Sequence, residues 1–168
     1  WWQVYLMLPS FFLAPVYVAA AIAINRFALE NKKYSGNLSV AFAIMYATLN
    51  ATVYFVVMTV VVPIELKNGN AGVLKFEPGS FLFAVDILGY GLMSLSTLFA
   101  TPVFNGNNHL EKWARTFLFA NGMLVPFLWL QTVIPICFYV AAMQVITFPV
   151  AMVLVAITIK KNGKKSDK

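Results

Sequence analysis

One cysteine, one histidine and six acidic residues in 168 positions close off several classes of function. Cys137 has no partner for an internal disulfide, and its place in an apolar run marks it as a small buried hydrophobe. His109 lies in the polar stretch NGNNHLEKW, far in sequence from that cysteine. The pair cannot complete the usual zinc or haem ligand set, so neither metal nor cofactor is expected. Ser94 and Ser96 have no histidine or lysine base in their own segment, and Asp86 has no neighbouring carboxylate for an acid/base dyad. NGNAG and NGNN read as flexible turns rather than phosphate-binding loops. No enzyme is expected.

Charge is scarce as well. Charged residues make up 11% of the chain and hydrophobic ones 61%, with mean hydropathy +0.78. A soluble domain sits nearer a quarter charged, and a small one buries too little surface to hide such an excess. The apolar residues also fall in long blocks with few charges. The fold class is therefore all-α, a polytopic transmembrane helix bundle.

Five spans are expected, at about 5–25, 39–64, 79–103, 113–132 and 135–159, making a bundle over 1–159 and a basic cytoplasmic tail over 160–168. The stretch from Trp113 to Ile159 has no charge after Arg115 and is about twice the length needed to cross ~30 Å of hydrocarbon. It must turn back once, and Gln131–Pro135, with a polar pair and a proline, is the expected break. Pro78 is placed at a helix start, and Asn108 with Glu111 resembles a capping box. Pro9, Pro15, Pro126 and Pro149 fall inside spans and predict bent helices.

Ten of the twelve Lys and Arg residues fall on one side of this five-span arrangement, leaving Lys67 and Lys75 on the other. The positive-inside rule then puts the C-terminus in the cytoplasm and Trp1 outside, in a cell (inner) membrane. The sequons at Asn37 and Asn50 fall at a cytoplasmic and an intramembrane position, where glycosylation is not expected. Trp1, Trp2 and Tyr5 suit an outer aromatic belt and Trp113 an inner one. Trp1-Trp2 is not the basic start of a cleavable signal, and a further span before Trp1 stays open as an alternative. The net charge of +6 is thus explained by topology, without nucleic acid as a partner. Lys160, Lys161, Lys164 and Lys165, in a tail expected to be disordered, are candidate lipid head-group contacts.

Asp86 is the one carboxylate in an otherwise apolar span. An aspartate near a helix centre costs roughly 2.5–3.5 kcal/mol on the insertion scale, so it must face the bundle or a wet cavity. Tyr90, Ser94 and Thr97 follow it on one helical face, and Gly89 and Gly91 would let another backbone come close. The second span carries Tyr46, Asn50 and Tyr54 at successive turns, beside the small-residue face Ala43, Ala47 and Ala51. Tyr17, Asn121, Gln131, Tyr139 and Gln144 are polar groups on the other spans. Convergence of Asp86, Tyr90, Asn50, Tyr54 and Gln144 in the outer half is the expected ligand or ion site. No cation lies within the spans; the stem of Lys67 or Lys75 is the one route by which a cation could reach down, and desolvation otherwise favours a neutral carboxyl.

Segment 86–129, through DILGYG, FNGNNHLEKWAR and ANG, resembles sequences of uncharacterised prokaryotic multi-pass membrane proteins over about a quarter of the chain. The resemblance implies the multi-pass class and carries no activity or binding residue. Two functions remain. One is a non-enzymatic membrane protein handling a proton, a cation or a small polar or lipid-like molecule near Asp86. The other is a structural or accessory subunit in which Asp86 clasps helices or a partner. The short chain favours a homo-oligomer or association with another membrane protein.

Overall fold

Every described element is helical, and no strand occurs among the described residues. The structure, a computed structural model, describes residues 2–106 and 108–166, with side chains for 7–106 and 108–161. The belt side chains of Trp1, Trp2 and Tyr5, and those of Lys164 and Lys165, lie outside the described residues.

Helix α1 (Trp2–Phe27) holds Pro9 and Pro15 in its interior. Helix α2 (Lys33–Val56) continues through a π-helical turn at Val57–Val61 into α3 (Val62–Leu66). The π turn has a local cause. Pro63 has no N–H for the carbonyl of Thr59, and one wide turn re-registers the ladder, with Val62 N–H bonding Val57 O. Helix α4 (Phe81–Ala100) begins at Ser80, whose hydroxyl accepts from Phe83 N–H at 3.2 Å. Pro78 is therefore not in the first turn as expected. The intervening Gly79 has φ +87°, outside the helical region, so the helix cannot begin until after it.

The region 109–141 departs from a single straight span. Helix α5 (His109–Gly122) is capped by Asn108, whose Oδ1 accepts from Glu111 N–H at 2.9 Å. It stops at Gly122, and α6 (Val125–Leu130) starts anew with Pro126 in its first turn. Pro126 thus opens a helix instead of bending one, since its missing N–H costs nothing there. Helix α7 (Ile136–Ala141) follows the turn at 131–135, and α8 (Gln144–Ser166) carries Pro149 inside it. The tail expected to be disordered is helical as far as Ser166, the lysines being good helix formers that extend the preceding turns.

Four segments are long and apolar enough to cross a membrane: Met7–Phe27, Glu30–Leu66, Phe81–Val103 and Ile136–Lys161. In the window of Phe81–Val103, 56% of residues are buried, against 22–33% in the other three. Helix α4 is the hub. It runs antiparallel to α2, since Ser35 meets Phe99 O, Ser39 meets Ser96 and Asn50 meets Asp86. Helix α5 packs along α8 and α6 packs on α7, the nested order of an antiparallel hairpin. Ala47 and Ala51 line a notch against Ala14, Pro15 and Val18 of α1, where their small side chains permit close approach.

The apolar core is stacked in layers. Val53, Val57 and Leu82 fill the end near Asp86, Tyr17, Tyr46 and Phe148 the middle, and Ile24, Phe104, Leu118 and Val155 the opposite end.

Candidate functional site

Asp86 lies in the second turn of α4, 7% exposed, and accepts a hydrogen bond of 2.9 Å from Asn50 Nδ2. The contact depends on Gly89. A Cβ built there would sit 1.7 Å from Asn50 Oδ1. That Oδ1 has no hydrogen-bond partner among the described residues. One turn along each helix, the Tyr54 and Tyr90 hydroxyls are 2.8 Å apart, and Tyr54 also reaches the Asp86 carboxyl. Ser10 of α1 completes the ring around the Tyr90 hydroxyl.

Gly91 plays a matching role on the opposite side. Its missing side chain is replaced by the Trp129 indole, whose Nε1 would stand 1.9 Å from a Cβ. The expectation that these glycines admit a neighbouring backbone is corrected. They admit two large side chains, because α2 and α6 present Asn50 and Trp129 where their backbones stay farther away.

Below Tyr90 a second polar cluster ties α4 to α5 and α8. Gln144 Nε2 donates to Ser94 Oγ at 3.0 Å and to Tyr90 O at 3.4 Å. Asn121 Nδ2 donates to Thr97 Oγ1 at 3.0 Å, and Thr147 donates to Asn121 Oδ1 at 2.9 Å. Farther round the helix, Tyr17 donates to Met93 O at 3.2 Å, while the fully buried Tyr46 hydroxyl has no partner among the described residues.

A cavity of about 460 Å³ opens beside these clusters. Ser10, Tyr90, Gln131 and Gln144 supply its polar wall, and Leu13, Ile87, Met93, Leu128 and Phe148 much of the rest. Asp86 is not on the wall. It sits behind Tyr90, turned toward α2. A second cavity, of about 530 Å³, shares Gln131 and is lined by Pro78, Phe83, Thr132 and Tyr139. Tyr139, 72% exposed, belongs to that mouth and not to the buried cluster.

The five residues expected to converge do come together, in pairs. Asn50 meets Asp86, Tyr54 meets Tyr90, and Gln144 reaches the Tyr90 carbonyl. Gln144 lies deeper than expected, level with Ser94. Lys75 does not reach down toward Asp86. It pairs with Glu77 at 2.7 Å near the surface, and that hydrogen bond holds its ammonium above the usual lysine range. Lys67, like Lys160 and Lys161, is exposed. Ser10, Trp129 and Thr147 were not anticipated. Thr147, one turn after Gln144, was legible from helical spacing, whereas Ser10 and Trp129 depend on how their helices are rotated.

No three His, Cys, Asp or Glu residues gather as a metal site among the described residues. No family model, curated protein or solved structure matches the chain.

Proposed function

We propose that this chain is a non-enzymatic inner-membrane protein of five spans that holds a small uncharged polar or lipid-like molecule at the Tyr90–Gln144 cavity. One observation carries the reading: the wall offers hydrogen-bonding side chains from Ser10, Tyr90, Gln131 and Gln144 and no charged one. A proton or cation site would call for the carboxylate to face the cavity, and Asp86 is turned away behind Tyr90. Its part is to clasp α4 to α2 and thereby fix Tyr90.

The fifth crossing is supported by the nested packing of α5 on α8 and of α6 on α7, which returns 109–130 along the C-terminal helices. The charge asymmetry supports a cytoplasmic C-terminus.

Native mass spectrometry of the protein, gently extracted from its own membrane, tests this. The expected result is a single chain or homo-oligomer carrying a reproducible small added mass, which Gln144→Leu removes. A second polypeptide at fixed ratio would make the chain an accessory subunit instead. Absence of any added mass, or its survival in Gln144→Leu, would overturn the cavity reading.

A further inference from the structure

We propose that a phospholipid with an anionic head group seats one acyl chain in the groove between α1 and α8, with its phosphate at Lys160. The groove, of about 630 Å³, is lined by Leu13, Ala20 and Ala23 of α1 and by Phe148, Ala156 and Ile159 of α8, and it ends at Lys160. Tyr17 also lines it, but its hydroxyl is taken by Met93 O, so the wall is apolar up to the lysine.

Dimensions select the occupant. From Phe148 to Lys160 is about 18 Å of helix, close to the ~15 Å depth of one leaflet's hydrocarbon. The groove has the length and the unbroken apolar wall that one hydrocarbon chain requires. Alanines at 20, 23 and 156 leave the room, and α1 and α8 meet only sparsely along their length.

Charge fixes the head group. Lys160 is exposed at the groove's end, and Arg26 lies three residues beyond Ala23, on the same face of α1. Both cations favour a phosphate-bearing head without a compensating positive charge. In the proposed topology this is a lipid of the cytoplasmic leaflet; the groove shares Leu13 and Phe148 with the Tyr90–Gln144 cavity but none of that cavity's polar wall.

The test uses native mass spectrometry of the whole chain released from bilayers of equal phosphatidylglycerol and phosphatidylcholine. The chain should retain one phosphatidylglycerol in preference to phosphatidylcholine by about fivefold, the gain for one lysine at the surface. Lys160→Gln should keep a lipid but lose the preference. Ala156→Trp, on an exposed part of the wall, should lose the lipid of either head group while its thermal midpoint holds. Ala23→Phe serves as a second filler if Ala156→Trp does not fold. Gln144→Leu should leave the phosphatidylglycerol in place, which separates this site from the polar cavity. Equal retention of the two lipids, survival of the adduct in the filled groove, or a dimer cross-linked through residues 20 and 156 would overturn the proposal.

Discussion

The pairing of Asn50 with Asp86 makes the two side chains unequal in what they tolerate. Asp86→Asn keeps a neutral amide opposite Asn50 Nδ2, so its melting temperature in detergent should stay within a few degrees of the parent. Asp86→Leu removes the acceptor and leaves Asn50 without a partner on either end, since its Oδ1 is already unpartnered among the described residues. That loss should cost about 1–2 kcal/mol in thermal or denaturant unfolding. If Asp86→Asn unfolds the protein, the charge itself is structural and the clasp is wrongly described. Gly91→Ala probes the opposite side of α4. The new methyl would overlap the Trp129 indole, so the tryptophan must move, and emission should shift to longer wavelength as the ring is displaced. An unchanged spectrum would mean that Trp129 does not occupy that notch.

At the scale of elements, the start of α4 is set by one side chain. Ser80→Ala should cost about 1 kcal/mol, with faster amide exchange in the first turn, and Ser80→Asp should restore protection. Equal exchange in all three proteins would show that the cap does not hold this end. Helix faces were legible in the sequence where polar residues recur at turn spacing on both partners, as for Asn50 and Tyr54 against Asp86 and Tyr90. Helix rotation was not. That Asp86 turns to α2 while Tyr90 reaches the cavity follows from packing of α1, α6 and α8, which one helix's periodicity does not contain. The division at Gly122–Pro126 was read as a bend, because proline inside a span and proline opening a helix look alike until the preceding helix is seen to end.

For the whole molecule, orientation is open to direct measurement. With Cys137→Ala as background, a cysteine at Lys67 should react with a membrane-impermeant maleimide in intact cells. One at Lys112 should react only after permeabilisation. The reverse pattern would invert the topology, and labelling of both from outside would deny the α4 crossing between them. The membrane class was legible because bulk composition decides it. The cavity was not, because it is bounded by five helices whose order no single sequence states.

The placement of α4's polar groups also bears on how the chain is made. Helix α4 emerges from the ribosome with Asp86 aboard, and its partners on α2, Asn50 and Tyr54, have by then been synthesised. Ser94 and Thr97 must wait, because Gln144 and Asn121 are encoded later. The partners of Asp86 are therefore in place before α4 is complete. The Ser94–Thr97 end of its polar face is completed only when the C-terminal hairpin arrives. A nascent chain ending at Ala100 already contains the clasp, and the last 68 residues close the structure around it.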